Sequence, residues 1–179
     1  MAKILAFAGS NSSTSINHKL VKFTASLISE HDIEVLDMTR YPFEMYSEDA
    51  EQTHGFSNSL IELKKEFQEA KGLIISVNEH NGNMSAYFKN TMDWLSRLDR
   101  KFMADTKLFL MATSNGKRGA STSLELAEKL LSRFGAETVA LFSLPSFSEQ
   151  LGDTSVIKDE ELAKAHADAL QKFLVSLKS

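Results

Sequence analysis

Five short strand-like stretches, each followed by apolar residues at helical spacing, constrain this chain more than any other feature. Ile4–Ala8 (ILAFA), Leu73–Val77 (LIISV) and Leu108–Ala112 (LFLMA) are almost continuously apolar, as strands buried on both faces of a parallel sheet are. Ile33–Met38 (IEVLDM) alternates, and Thr138–Phe142 (TVALF) reads as the fifth strand. The helical stripes are Leu20, Val21, Thr24, Leu27 and Ile28, then Phe56, Leu60, Leu63 and Phe67, then Phe88, Met92, Leu95 and Leu98. Leu124, Ala127, Leu131 and Phe134 form the next, and Leu162, Ala165, Ala169, Phe173 and Leu177 the last, beginning near Lys158. Strand and helix in alternation predict one α/β domain over residues 1–179, an open five-stranded parallel sheet with helices on both faces.

The first strand stops at Gly9, and Ser10, Asn11, Ser12, Ser13, Thr14, Ser15 and Asn17 follow before helical spacing begins. A helix start carries unpaired N–H groups and partial positive charge, and hydroxyls donate to phosphate oxygens. The stretch therefore reads as an anion-binding loop, with Gly9 giving a sharp turn where a side chain would meet a ligand. The plainer alternative, that Ser15 or Asn17 only caps the helix, needs one such residue rather than a run. A phosphate loop after the first strand favours the strand order 2-1-3-4-5, with a crevice where the chain reverses between strands 1 and 3. That order brings three polar, glycine-bearing exits to one edge: the hydroxyl loop, Asn78–Asn83 (NEHNGN) and Thr113–Gly119 (TSNGKRG).

Composition excludes several classes. A net charge of −4 and a pI near 5.7 leave no basic footprint for nucleic acid. The absence of cysteine removes disulfides, thiol catalysis and thiolate metal sites, and fits a cytoplasmic protein. No apolar run is long enough for a membrane span or a signal peptide. His18, His31, His54, His80 and His166 show no metal-ligand spacing, and each reads as a surface residue. Asp37 reads as a solvated acid at a strand end, because the G-x-G-x-x-G that would make it a ribose ligand is missing. Thr39–Gly55 has no clear period and reads as a long loop whose aromatic residues cover a ligand or pack it down.

Gly9-Ser10-x-x-x-x-Ser15-x-Asn17 resembles the phosphate loop of the NADPH-dependent FMN reductases, a flavodoxin-like family that includes quinone, chromate and azo-dye reductases. Asn78-Glu79-His80-Asn81 followed by Phe88-Lys89-Asn90-Thr91-Met92-Asp93-Trp94 is similar to the family's P-E-Y-N and L-K-N-x-x-D-W motifs. Ser114-Asn115-Gly116-Lys117-Arg118-Gly119 is similar to its S-x-G-x-x-G exit from strand 4. Three positions depart from the pattern: Ser12 stands for an arginine, Asn78 for the proline and His80 for the tyrosine.

The resemblance implies a flavodoxin-like fold, FMN as cofactor and NADPH or NADH as hydride donor. Ser10, Ser12, Ser15 and Asn17, with the main-chain N–H groups around Ile16, would hold the FMN phosphate. Asn78, Glu79, His80, Asn81 and Gly82, with Ser114, Asn115, Gly116 and Gly119, would line the isoalloxazine edge, the glycines allowing close approach. Hydride chemistry belongs to the flavin, so no catalytic side chain is expected. Lys117 and Arg118 either meet the 2′-phosphate of NADPH or form a solvated loop tip. The implied function is an NAD(P)H oxidoreductase passing electrons to a small acceptor such as free flavin, a quinone or an azo compound. An FMN-binding electron carrier without NAD(P)H activity is the alternative. A homodimer or homotetramer is expected, because Phe88, Trp94 and Leu95 exceed what one inward helix stripe requires. Trp94 reads as packing at a helix or subunit contact, and Lys89 and Asp93 are spaced for an i,i+4 pair.

Overall fold

The computed structural model describes residues 1–178. Its main sheet contains β1 (Lys3–Ala8), β2 (Asp32–Leu36), β3 (Gly72–Val77), β6 (Lys107–Thr113) and β7 (Glu137–Leu144), paired in parallel in the order β2-β1-β3-β6-β7. Those five strands, counted along the chain, have the order 2-1-3-4-5 that the sequence predicts. A two-residue pair, β4 (Glu79–His80) and β5 (Asn83–Met84), forms a separate antiparallel hairpin at the exit of β3.

Alternation along the strands sends side chains to two cores. Leu5, Phe7, Leu73, Ile75, Leu108 and Leu110 face one layer, which contains α3 (Asn58–Glu69), α4 (Ala86–Leu98) and α5 (Ser121–Arg133). Ile4, Ala6, Ile74, Phe109 and Met111 face the other, which contains α1 (Ile16–Ser26) and α7 (Glu160–Ser176). Both faces of the central strands are thus buried, which is why their sequences are nearly uninterrupted apolar runs.

Several local readings differ. β2 ends at Leu36, because the Asp37 carboxylate accepts the Thr39 N–H and caps a 3₁₀ turn at Met38–Arg40. The 39–55 stretch contains a short helix, α2 (Glu48–His54), capped by Ser47; no residue of it is buried, so it had no apolar period to read. Residues 147–150 form α6 (Phe147–Gln150) within a segment that showed no pattern. Leu27 is exposed at the end of α1, and Ala165 is exposed on α7, where His166 takes the inward place.

The surface assignment fails for His166. It is 2 % exposed, with its Nε2 2.9 Å from Thr24 Oγ1 and its ring among Phe23, Phe109 and Phe142. His54 and His80 are exposed, whereas His18 and His31 are half-buried. The surplus apolar surface inferred for α4 is also absent from the outside. Phe88, Trp94 and Leu95 are all buried within the chain, Trp94 edge-on to Tyr46 and Phe56. Trp94 holds the 41–56 segment, Phe88 packs at Gly9 and Leu95 lies in the core, so they supply no argument for a subunit contact. Lys89 and Asp93 make the expected pair, with Nζ 2.6 Å from Oδ1.

Candidate functional site

The hydroxyl loop leaves β1 at the carboxyl edge of the sheet and enters α1 at Ile16. Ser15 is the cap of that helix: its Oγ accepts the His18 N–H at 3.2 Å. Within the loop, Ser10 Oγ accepts the Ser12 N–H and Ser12 Oγ accepts the Thr14 N–H. These turns leave Asn11, Ser12, Ser13 and Thr14 exposed, with Ser10, Ser15 and Ile16 half-buried beside them. The first-turn N–H groups of Ile16 and Asn17 point out of the helix end, as helix geometry requires. Burial and the neighbouring Lys22 push the His18 imidazole below its ordinary value.

Asn17 is turned inward. Its Oδ1 accepts from Ser76 Oγ at 2.7 Å and from the Thr113 N–H at 3.1 Å, and its Nδ2 donates to the Thr113 carbonyl at 3.2 Å. One buried carboxamide therefore ties the loop after β1 to the ends of β3 and β6. Its side chain is spent on that tie, leaving its main-chain N–H to face the loop.

Gly9 has a different reason from the one expected. A Cβ there would lie 2.9 Å from the Phe88 ring, so the glycine admits α4 against the sheet. Ser85 strengthens the same contact, donating from Oγ to the Gly9 carbonyl at 2.7 Å while accepting the Phe88 N–H.

Asn81 and Gly82 both have positive φ and close the β4–β5 hairpin between the paired residues His80 and Asn83. This is the two-residue turn that an Asn-Gly dipeptide favours. Glu79 Oε2 accepts the Ser123 N–H in the first turn of α5 at 3.2 Å, and Ser123 Oγ donates to the Asn78 carbonyl at 2.8 Å. Ala120, the residue at the cap position of α5, makes no side-chain cap bond, so Glu79 supplies the acceptor from outside the helix. Asn78 Nδ2 lies 3.1 Å from His80 Nε2, whereas Asn78 Oδ1 is buried and lacks a hydrogen-bond partner among the described residues.

Ser114, Asn115 and Gly116 lead the third exit. Asn115 Oδ1 accepts from the Ser148 N–H and hydroxyl, and the Gly116 carbonyl accepts from the Ser146 N–H, so α6 braces this loop from behind. Gly116 is exposed, and a Cβ there would meet only the Ser114 hydroxyl, at 3.6 Å. Gly119, buried at φ +58°, serves the fold: a Cβ would lie 2.4 Å from Ser143 Oγ and 2.8 Å from the Pro145 nitrogen. Lys117 and Arg118 are exposed at the tip, with Arg118 Nη2 3.9 Å from Glu79 Oε1. Sequence reasoning missed Ser76, Ser85, Thr113 and Ser123, the partners that fix these loops. Ser76 and Thr113 sit at strand ends, and only the strand order reveals that Asn17 reaches both.

The edge fits a flavin mononucleotide on three counts. It has a helix start beside exposed hydroxyls for the phosphate, an exposed glycine at Gly116, and an orphan acceptor in Asn78 Oδ1 for an imide N–H.

A parallel sheet of this order, with three polar loops gathered at its reversal point, defines a flavodoxin-like α/β protein. Residues 2–149 match the family model described as NADPH-dependent FMN reductase, and the chain belongs to that family. It is accordingly an NAD(P)H-dependent flavoprotein oxidoreductase with FMN as cofactor. An uncharacterized protein of Mycoplasma pneumoniae is 32 % identical over 130 residues, covering 70 % of this chain and 76 % of its own. A quinone reductase of Escherichia coli is 30 % identical over 77 residues, 43 % of this chain and 41 % of that protein, so the match spans less than half of the relative. Among solved structures, the FerB flavoenzyme NAD(P)H:(acceptor) oxidoreductase of Paracoccus denitrificans superposes with a TM-score of 0.77 at 21 % identity, covering 99 % and 98 % of the two chains. At that identity the likeness concerns the fold.

Proposed function

We propose that the chain passes electrons from NADPH or NADH, through FMN bound at this edge, to a small acceptor, with quinones the acceptor class to test first. The observation that carries the reading is the Asn17 carboxamide, which draws three separately read loops to one crevice. The E. coli quinone reductase match favours quinones over free flavin and azo compounds as the first choice.

In this reading Ser10, Ser12 and Ser15, with the N–H groups of Ile16 and Asn17, hold the phosphate. Asn78 accepts an imide N–H through its orphan Oδ1. Glu79, His80, Asn81 and Gly82 form the hairpin along one ring edge, and Ser114, Asn115, Gly116 and Gly119 the loop along the other. FMN supplies the hydride and electron chemistry when bound; the chain's work is binding, orientation and access. With serine rather than arginine at position 12, the phosphate is met by neutral donors, and affinity is expected to be lower than a bidentate cation would give. Lys117 and Arg118 are proposed to meet the nucleotide donor. A homodimer or homotetramer is proposed from the family resemblance alone, and sedimentation as a monomer at micromolar concentration would refute it.

Reconstitution decides the central claim. The purified chain incubated with FMN should retain it through gel filtration, release it on denaturation as FMN rather than FAD, and oxidise NADPH or NADH in the presence of a quinone. Failure to retain FMN would overturn the site, and retention without nucleotide oxidation would overturn the assigned electron path.

A further inference from the structure

A cavity of about 320 Å³ lies between the 42–59 segment and the helices α3 and α4. None of residues 10–17, 78–82 or 114–119 lines it, so it is distinct from the flavin edge, and a ligand there is independent of the flavin reading. Its size is at the lower end of small-molecule sites.

The walls are Pro42, Phe43, Leu60 and Trp94. Trp94 is fixed there, its ring edge-on to Tyr46 and Phe56 and its Nε1–H donated to the Glu44 carbonyl at 2.9 Å. The Asn90 carboxamide Nδ2 donates to the same carbonyl, and its Oδ1 accepts the Tyr46 N–H, so the turn carrying the cavity is held by two side chains of α4. The site is therefore preformed rather than a gap in a loose loop.

Its polar lining is one carboxylate, Glu44, with His54 and the hydroxyls of Ser57 and Ser59. Glu44 lies in the lining, with Oε1 3.3 Å from His54 Nδ1, and a carboxylate only accepts. The Ser57 hydroxyl accepts the Leu60 N–H and lies 3.3 Å from Ser59 Oγ, so one of the two hydroxyl protons is shared between them. No lysine or arginine is among the lining residues, and Glu44 is the one carboxylate among them. Aromatic walls beside a carboxylate suit an aromatic molecule that carries positive charge, since a cation gains from both the carboxylate and the ring faces.

We propose that this cavity is a second ligand site, taking a small aromatic molecule that bears an ammonium group, with Glu44 as its counter-ion and Phe43 and Trp94 as its walls.

Trp94 is the only tryptophan of the chain, so its indole N–H gives a single resonance in a ¹⁵N-labelled sample and reports directly on the cavity. The labelled protein is titrated with phenethylamine and, separately, with phenylpropionate, which has a similar ring and the opposite charge. The expected result is a saturable shift of the indole resonance with the amine, and binding of the anion weaker by about tenfold or more. Glu44→Gln, at an exposed side chain whose main-chain carbonyl bonds persist, should reduce that preference to less than about threefold. No saturable shift with the amine, equal binding of the two probes, or an unchanged preference in Glu44→Gln would overturn the proposal.

Discussion

Lowering the pH should unfasten α7 through one residue. His166 sits in a cage of Phe23, Phe109 and Phe142 with ring centroids 5.0–6.0 Å away. The Thr24 hydroxyl donates to the Leu20 carbonyl at 2.9 Å, so its oxygen accepts from His166 Nε2, which must carry the proton of the neutral ring. Burial alone pushes the imidazole down to about 4 from an ordinary value of 6.5, with no facing charge contributing. Folded His166 thus resists a proton that the unfolded chain accepts. Its contribution is complete above pH 6.5 and is lost as the pH falls through the window between 6.5 and about 4. A shift of this size corresponds to about 3 kcal/mol when the window has been crossed, and to about 2 kcal/mol by pH 5.

Urea unfolding at pH 7.5 and pH 5 measures this, with a constant m-value confirming that the same surface is exposed. His166→Gln provides the control, because its amide N–H can still donate to Thr24 but does not titrate. The depressed His18 acts in the same direction and is present in both proteins, so it cancels in the comparison. The wild type should lose about 2 kcal/mol more than His166→Gln between the two conditions. Equal losses would refute the assignment of the acid sensitivity to this ring.

Three further outcomes are expected at the site. Asn17→Ala removes three buried hydrogen bonds and leaves the Thr113 N–H and Ser76 hydroxyl unpaired, and thermal melting should show a loss of about 2–3 kcal/mol. Gly119→Ala forces a side chain into left-handed backbone against Ser143 and Pro145, and should cost about 2 kcal/mol or more in denaturant unfolding. Replacing Lys117 and Arg118 together by alanine should raise KM for NADPH much more than for NADH in quinone-coupled kinetics, with FMN content unchanged; an equal effect on the two nucleotides would sink the 2′-phosphate role.

What could be read in the sequence was what burial and period control. Strand order and all five long helices are visible because each strand is apolar and each helix has one buried stripe. The hairpin at Glu79–Met84 was hidden because two-residue strands have no alternation to detect, although Asn81-Gly82 is itself a turn signal. His166 was legible in principle: Leu162, His166, Leu170 and Phe173 recur at helical spacing, and this stripe, not the one through Ala165, faces inward. Reading a histidine as polar by type concealed its place on that stripe. Gly9 and Gly119 were recognised as necessary, but the atoms that demand them, Phe88 and the Ser143–Pro145 backbone, come from other parts of the chain.

The same pattern governs the polar residues of the crevice. Asn17 is spent on Ser76 and Thr113, Ser15 on the α1 cap, Glu79 on the α5 start, and Asn115 on Ser148. Each belongs to a motif that reads as ligand-binding, yet each first satisfies a neighbouring backbone or hydroxyl group. The division follows from the edge itself. Where strands end and helices begin, unpaired main-chain groups accumulate, and a loop must answer them before it can be held still. A small polar side chain does so without filling the crevice, leaving main-chain N–H groups and a few outward hydroxyls as the binding surface. Motif likeness at such an edge therefore reports scaffold and ligand demands together. Substitutions there must be read with stability and FMN retention measured side by side, since a residue that shapes the pocket and one that touches its contents lower affinity alike, but only the first also lowers the melting temperature of the FMN-free chain.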